Sequence, residues 1–147
     1  MNATSTRPLA ALALVVLLPA LGTSTANMAL PTLTRDFAAP FAQVQWVVLA
    51  YLLSITALIV SIGRLGDLLG KRRLLLVGVT LFTLASALCA VAPSLGVLIA
   101  ARAVQGIGAA VMMALGIALV GAVIPPERTG RAMGLMGSMS AVGTALG

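Results

Sequence analysis

The stretch GRLGDLLGKRR, residues 63–73, indicates which class of fold this chain adopts. It holds four of the nine Lys and Arg residues and one of the three acids, and it separates two long apolar runs. Charged side chains are costly to place in the hydrocarbon interior of a bilayer. We therefore expect a short turn in water between two membrane helices, in which Gly63, Gly66 and Gly70 permit a tight reversal.

The composition of the whole chain leads to the same interpretation. Hydrophobic residues make up 61% of it, charged residues 8%, and the mean hydropathy is +1.15. A soluble domain usually carries about 25% charged residues. Most side chains must therefore face lipid or other apolar helices. The net charge of +6 lies in short segments with few aromatic residues, which argues against a nucleic-acid partner.

The inventory of reactive side chains is small. The chain has no histidine, a single cysteine at Cys89, and only Asp36, Asp67 and Glu127 as acids. A zinc site, a Ser–His–Asp triad or a paired-carboxylate site is not readily assembled from these residues. We expect no enzyme activity, no catalytic residue, no metal and no cofactor.

A membrane helix needs about 20 apolar residues. Runs of this kind predict helices near residues 9–30, 44–62, 74–91 and 95–120, and a fifth, incomplete one at 132–147. The first run could also be a cleaved signal peptide, but it is longer than the usual apolar region of one. The predicted fold is an all-α, polytopic membrane helix bundle, with residues 1–147 forming part of an N-terminal bundle.

The basic residues also predict the orientation of this bundle. One side of the membrane would carry seven of them, and the other side only Arg35; the seven are Arg7, Arg64, Lys71, Arg72, Arg73, Arg128 and Arg131. Loops rich in Lys and Arg stay in the cytoplasm. We expect a multi-pass protein of the cell (inner) membrane with a cytoplasmic N-terminus.

The stretch at residues 63–73 resembles the loop between the second and third helices of the major facilitator superfamily, with the pattern G-x-L-a-D-r-x-G-r-k-x. The matching residues are Gly63, Leu65, Asp67, Gly70, Lys71 and Arg72. Leu68 stands where the family usually has a basic residue. The resemblance implies a gating loop that latches two six-helix bundles together. A glycine-rich turn with basic flanks is the simpler alternative.

The segment RAVQGIGAA, residues 102–110, resembles the R-x-x-Q-G-x-G-a-a segment of the same family. Arg102 lies about seven residues inside an apolar run, roughly 10 Å along a helix. An arginine at that depth suggests a function, and the resemblance implies proton coupling or a place in a central cavity for Arg102 and Gln105. The alternative is that Arg102 snorkels to the outer interface. Gly106 and Ala110 form a pair of small residues that allows close helix packing.

The segment LGTSTANMALP, residues 21–31, is similar to the L-D-x-T-x-x-N-x-A-L-P segment of the multidrug antiporter branch. Ser24 stands where threonine is usual, and Asn27 matches. We expect both to line a cavity; hydrogen bonds from Ser24 and its neighbours to their own helix are the alternative. Gly22 replaces the aspartate of that branch, so a proton-carrying role does not transfer to this position.

The last residues resemble the start of the antiporter segment G-x-x-x-G-P-x-x-G-G, with Gly143 and Gly147 as helix-packing positions.

Together the resemblances imply a secondary transporter that exports drugs or other lipophilic, often cationic compounds against an inward proton flow by alternating access. Its partners would be a small-molecule substrate, protons, the lipid bilayer and a C-terminal bundle missing from this chain, without which the fragment would not transport. A metabolite or sugar symporter of the same superfamily and a truncated, non-transporting membrane scaffold are the alternatives.

Overall fold

The computed structural model describes residues 3–123 and 126–146, which form helices and short connections. The helices are α1 (Ala3–Asp36), α2 (Phe41–Val44), α3 (Trp46–Leu69), α4 (Lys71–Ala90), α5 (Leu95–Val123) and α6 (Pro126–Leu146). Within the described ranges, four segments are long and apolar enough to cross a membrane: Ala13–Asp36, Phe41–Leu69, Lys71–Ala90 and Leu95–Ala122. The predicted all-α membrane fold is confirmed.

The reversal between α3 and α4 is much shorter than a three-glycine turn. Gly63 and Gly66 are helical, and only Gly70 lies outside both helices, with φ of +90°. The Gly70 amide still donates to the Gly66 carbonyl at 3.1 Å, so α3 keeps its hydrogen bonding to its last turn. Gly63 and Gly66 were expected to share in the reversal, but both lie within α3, because the leucines around them favour a helix.

Helix α5 forms the centre of the bundle. Of its most apolar part, 56% is buried inside the structure, whereas the corresponding share is 28% or less in each of the other three candidate spans. It packs along α3 and α4, while α1 packs along α6 and more lightly on α5. The buried residues between these helices include Tyr51, Phe82, Ala109 and Met112. A side chain on α5 therefore meets several helices at once.

Close packing around α5 depends on residues without bulk. At Gly78 of α4 a Cβ atom would overlap the Val111 side chain, and at Gly108 it would lie 2.7 Å from the Phe82 amide nitrogen. Small residues let membrane helices approach until van der Waals contact is extensive. This approach brings backbone carbonyls of neighbouring helices within reach of polar side chains on α5.

Candidate functional site

Arg102 lies two turns inside α5 and is only 5% exposed. Its position follows from the sequence, because the run that surrounds it predicts one continuous apolar helix. The side chain is directed into the bundle, where it bonds to backbone carbonyls of α1 and α3 and does not snorkel away from them. Arg102 therefore brings a charge into the interior of the membrane-spanning part of the chain.

Neutral groups from three helices surround the guanidinium. Nε donates to the Val47 carbonyl at 3.2 Å, Nη1 to Gln105 Oε1 at 2.6 Å, and Nη2 to the Gly22 carbonyl at 3.1 Å. The guanidinium carbon also lies 4.4 Å from the centre of the Tyr51 ring, a cation–π geometry. Arg102 thus connects α1, α3 and α5 through one charged group.

A second layer of hydrogen bonds extends this cluster to α4. Gln105 Nε2 donates to Ser86 Oγ at 2.6 Å, and Ser86 Oγ donates to the Phe82 carbonyl at 2.7 Å. The Tyr51 hydroxyl donates to the Pro19 carbonyl at 2.9 Å. We call Arg102, Gln105, Tyr51 and Ser86 the arginine cluster. Sequence reasoning missed Tyr51 and Ser86, although each is a polar group inside an apolar run.

A cleft of about 540 Å³ opens beside this cluster. It follows one face of α1 from Gly22 to Asp36, and its opposite wall comes from the end of α4 and the start of α5. Arg102 and Gln105 lie at one end of the cleft, and small apolar side chains such as Ala26 and Ala29 form much of its wall. The arrangement offers one positively charged end and a long apolar body.

Two residues predicted to line a cavity lie elsewhere. Ser24 Oγ donates to the Thr144 carbonyl of α6 at 2.8 Å and so connects α1 to α6. Asn27 is exposed, and its amide donates to the Thr23 carbonyl at 3.2 Å on its own helix. Neither residue lines the cleft beside Arg102. The structure brings Arg102 and Gln105 together but does not add Ser24 or Asn27 to them.

The predicted packing positions lie at helix contacts where they are described. A Cβ atom on Gly106 would lie 2.5 Å from the Tyr51 carbonyl oxygen, and Ala110 is completely buried beside α3. A Cβ atom on Gly143 would lie 2.8 Å from the Cβ of Ala20 on α1. Gly147 lies outside the described residues.

The predicted gating residues lie around the α3–α4 reversal, away from the cleft. Lys71 Nζ lies 3.1 Å from Asp67 Oδ1, and this ion pair bridges the break at Gly70. Leu65 and Arg72 are exposed, and Gly63 has open space around it. Asp67 is therefore already paired within this chain, with its carboxylate largely in water.

Comparison with known proteins gives one family. The sequence profile of the Major Facilitator Superfamily matches residues 12–147. The chain is 38% identical over 132 residues to the riboflavin transporter RibZ of Clostridioides difficile, covering 90% of the chain and 29% of the relative. It is 43% identical over 122 residues to the multidrug resistance protein Stp of Mycobacterium tuberculosis, covering 82% of the chain and 23% of the relative.

A third similar protein is the probable actinorhodin transporter of Streptomyces coelicolor, 38% identical over 121 residues, or 82% of the chain and 21% of the relative. The chain thus spans less than a third of the length of these curated relatives. The similarity includes the helices that carry the arginine cluster.

Proposed function

The chain belongs to the Major Facilitator Superfamily, whose members are multi-pass membrane transporters and not enzymes, and we propose that the whole protein exports small lipophilic compounds in exchange for protons. It would do so by alternating access, in which two bundles rock around a binding site near the middle of the membrane. Residues 1–147 would form part of the N-terminal bundle, with the second bundle as its partner.

The observation that supports this proposal best is the buried arginine beside a cleft. Ionisable residues inside membrane segments are rare, and they mark substrate or ion pathways. Arg102 lies at one end of a cleft of about 540 Å³, within the size range of small-molecule sites. A contact that served only to hold these helices together could be made by apolar side chains without the cost of burying a charge.

The choice of lipophilic compounds over sugars rests on the lining of the cleft and on the relatives. Apart from Arg102, Gln105, Thr25 and the distant Asp36, the lining side chains offer few polar groups for a polyhydroxylated ligand. The names of the relatives refer to riboflavin, to multidrug resistance and to actinorhodin. The choice of protons as the coupling ion rests on the resemblance of residues 21–31, 102–110 and 143–147 to segments of antiporters.

A flux assay on inside-out membrane vesicles tests the proposal. Vesicles from cells that express the complete protein are acidified inside and offered two probes, the lipophilic cation ethidium and the lipophilic anion fluorescein. We expect accumulation of at least one probe, loss of that accumulation with a protonophore, and no accumulation with Arg102→Ala. Accumulation of neither probe contradicts export, and release of a preloaded probe with the outward protons indicates a symporter.

We also propose that the N-terminus and the α3–α4 reversal face the cytoplasm of the cell membrane. The seven basic residues predicted on that side support this orientation. Leu68 is 82% exposed, so a cysteine there is accessible. In a background with Cys89→Ser and any other cysteine of the complete protein replaced, Leu68→Cys should react with a membrane-impermeant thiol reagent in inside-out vesicles and not in intact cells. Labelling of intact cells would reverse the topology.

A further inference from the structure

The arginine cluster contains a buried positive charge without a negative charge beside it. Arg102 is 5% exposed, and its partners are two backbone carbonyls, one amide oxygen and the Tyr51 ring. Among the side chains that the structure describes, which exclude those of Arg7 and Arg128, the only ion pair is the one between Lys71 and Asp67. A buried charge without a counter-ion is costly, so the site favours any anion that can reach it.

The guanidinium also retains unused hydrogen-bond donors. Arginine has five N–H groups, and three of them bond to Val47, Gln105 and Gly22. The remaining two have no hydrogen bond to the described part of the chain. Arginine does not give up its proton in proteins, and its planar group pairs well with the two oxygens of a carboxylate.

Gly22 lines the cleft together with Arg102. A Cβ atom at this position would lie 3.9 Å from Arg102 Nη1, 3.9 Å from the Tyr51 hydroxyl and 3.7 Å from the Phe82 ring. These are ordinary contact distances, so a Cβ atom fits here and would touch Arg102, Tyr51 and Phe82. Because the residue is glycine, no side chain of position 22 stands between Arg102 and the cleft.

The rest of the cleft determines the kind of anion. An inorganic ion would leave most of the 540 Å³ empty, whereas the wall formed by Ala26, Ala29 and Leu33 suits an apolar body. Asp36 lies 14 residues beyond Gly22 on α1, about 21 Å away along the axis, and is exposed. Its negative charge is too distant to neutralise Arg102.

We propose that this cleft binds an organic acid, with the carboxylate on Arg102 and the apolar body along α1. The acid would be a substrate class of the exporter, and that part rests on the proposed function. Binding itself does not, because the cleft, the unused donors and the lack of a side chain at Gly22 exist whether or not the protein transports.

Equilibrium dialysis of the complete protein in detergent tests the site. The probes are radiolabelled benzoate and benzyl alcohol, which have similar size but differ in charge, and detergent alone corrects for partitioning into micelles. We expect benzoate to bind at least about tenfold more tightly, the effect of one charge-assisted hydrogen bond. Gly22→Asp should abolish this preference by placing a tethered carboxylate at Arg102, whereas the neutral Gly22→Asn of the same size should retain it.

Size-exclusion elution identical to the wild type shows that both variants fold. Equal binding of the two probes by the wild type overturns the proposal, as does a benzoate preference that persists in Gly22→Asp. Displacement of benzoate by an equal concentration of chloride also overturns it, because an inorganic anion would then be the ligand. Benzoate binding without any flux in vesicles would leave the site intact and contradict only the export function.

Discussion

The two charged regions of this chain are held in opposite ways. At the α3–α4 reversal, Asp67 and Lys71 form an exposed pair four residues apart, a contact that the local sequence specifies. In α5, Arg102 is buried, and apart from Gln105 its partners come from α1 and α3, 80 and 55 residues away in sequence. Water can solvate Asp67 or Lys71 when the other member of the pair is removed. No solvent replaces the partners of the buried Arg102. We therefore expect substitutions in the second region to have much larger effects.

Arg102→Ala should have the largest effect of all. It removes three hydrogen bonds to a charged group, each worth about 1.5–3 kcal/mol, and the proposed coupling or binding charge. We expect flux of the transported probe to fall below detection while the protein still inserts in the membrane, measured in vesicles and by membrane fractionation. Arg102→Lys keeps the charge but not the planar donor set, so full activity in Arg102→Lys would show that the geometry of the cluster is unimportant.

Gly106→Ala tests the packing that places the cluster. The added Cβ would lie 2.5 Å from the Tyr51 carbonyl oxygen and 2.8 Å from the Ser54 Cβ, so α3 and α5 must separate. Overpacking of this kind costs about 1–3 kcal/mol, and we expect a lower midpoint of thermal unfolding in detergent. Gly96→Ala on the same helix is the matched control, because its Cβ meets nothing within 4 Å. Equal midpoints for the two variants would contradict the close α3–α5 contact.

Gly70→Ala tests the reversal itself. With φ of +90°, this position favours glycine, and another residue there costs about 1–3 kcal/mol. Gly63 is helical with open space around it, so Gly63→Ala should be neutral or stabilising by up to about 1 kcal/mol. Thermal unfolding of both variants distinguishes a single break at Gly70 from a turn that needs all three glycines. A similar loss of stability in both variants would favour the longer turn.

Asp67→Asn should have the smallest effect on stability. The pair with Lys71 is largely exposed, and such pairs contribute less than about 1 kcal/mol. If Asp67 belongs to a latch between bundles, turnover should fall severalfold at unchanged substrate affinity, measured by flux and by dialysis. Lys71→Gln removes the same ion pair and serves as the control. A loss of affinity without a loss of turnover would rule out the latch.

Sequence reasoning predicted the helices better than their contacts. Runs of apolar residues indicated the four described segments that are long and apolar enough to cross a membrane, because the cost of placing each residue in lipid depends mostly on that residue. Helix ends were less predictable: α3 extends to Leu69 and α6 begins at Pro126, beyond the apolar runs that suggested them. Hydropathy indicates which residues favour lipid. The end of a helix is instead the point where its backbone hydrogen bonds stop, and this point need not coincide with the end of the apolar run.

The candidate site was predictable only in part. Arg102 could be identified because a charge is rare in an apolar run, and Gln105 because its segment resembles a motif of the family. The contact of Ser24 with α6 could not be predicted, because its partner is a backbone carbonyl and every residue has one. Tyr51 was missed for the same reason, because its partner is the backbone of Pro19.

The sequence by itself determined the all-α membrane fold, the number of long apolar spans, the family and the unusual charge at position 102. Each of these depends on residue type and spacing along one helix. Only the tertiary structure decided that Arg102 bonds to carbonyls of α1 and α3, and that Gly22 lies in contact distance of Arg102, Tyr51 and Phe82. These features depend on how closely separate helices approach, a distance set by the packing of small residues from distant parts of the chain.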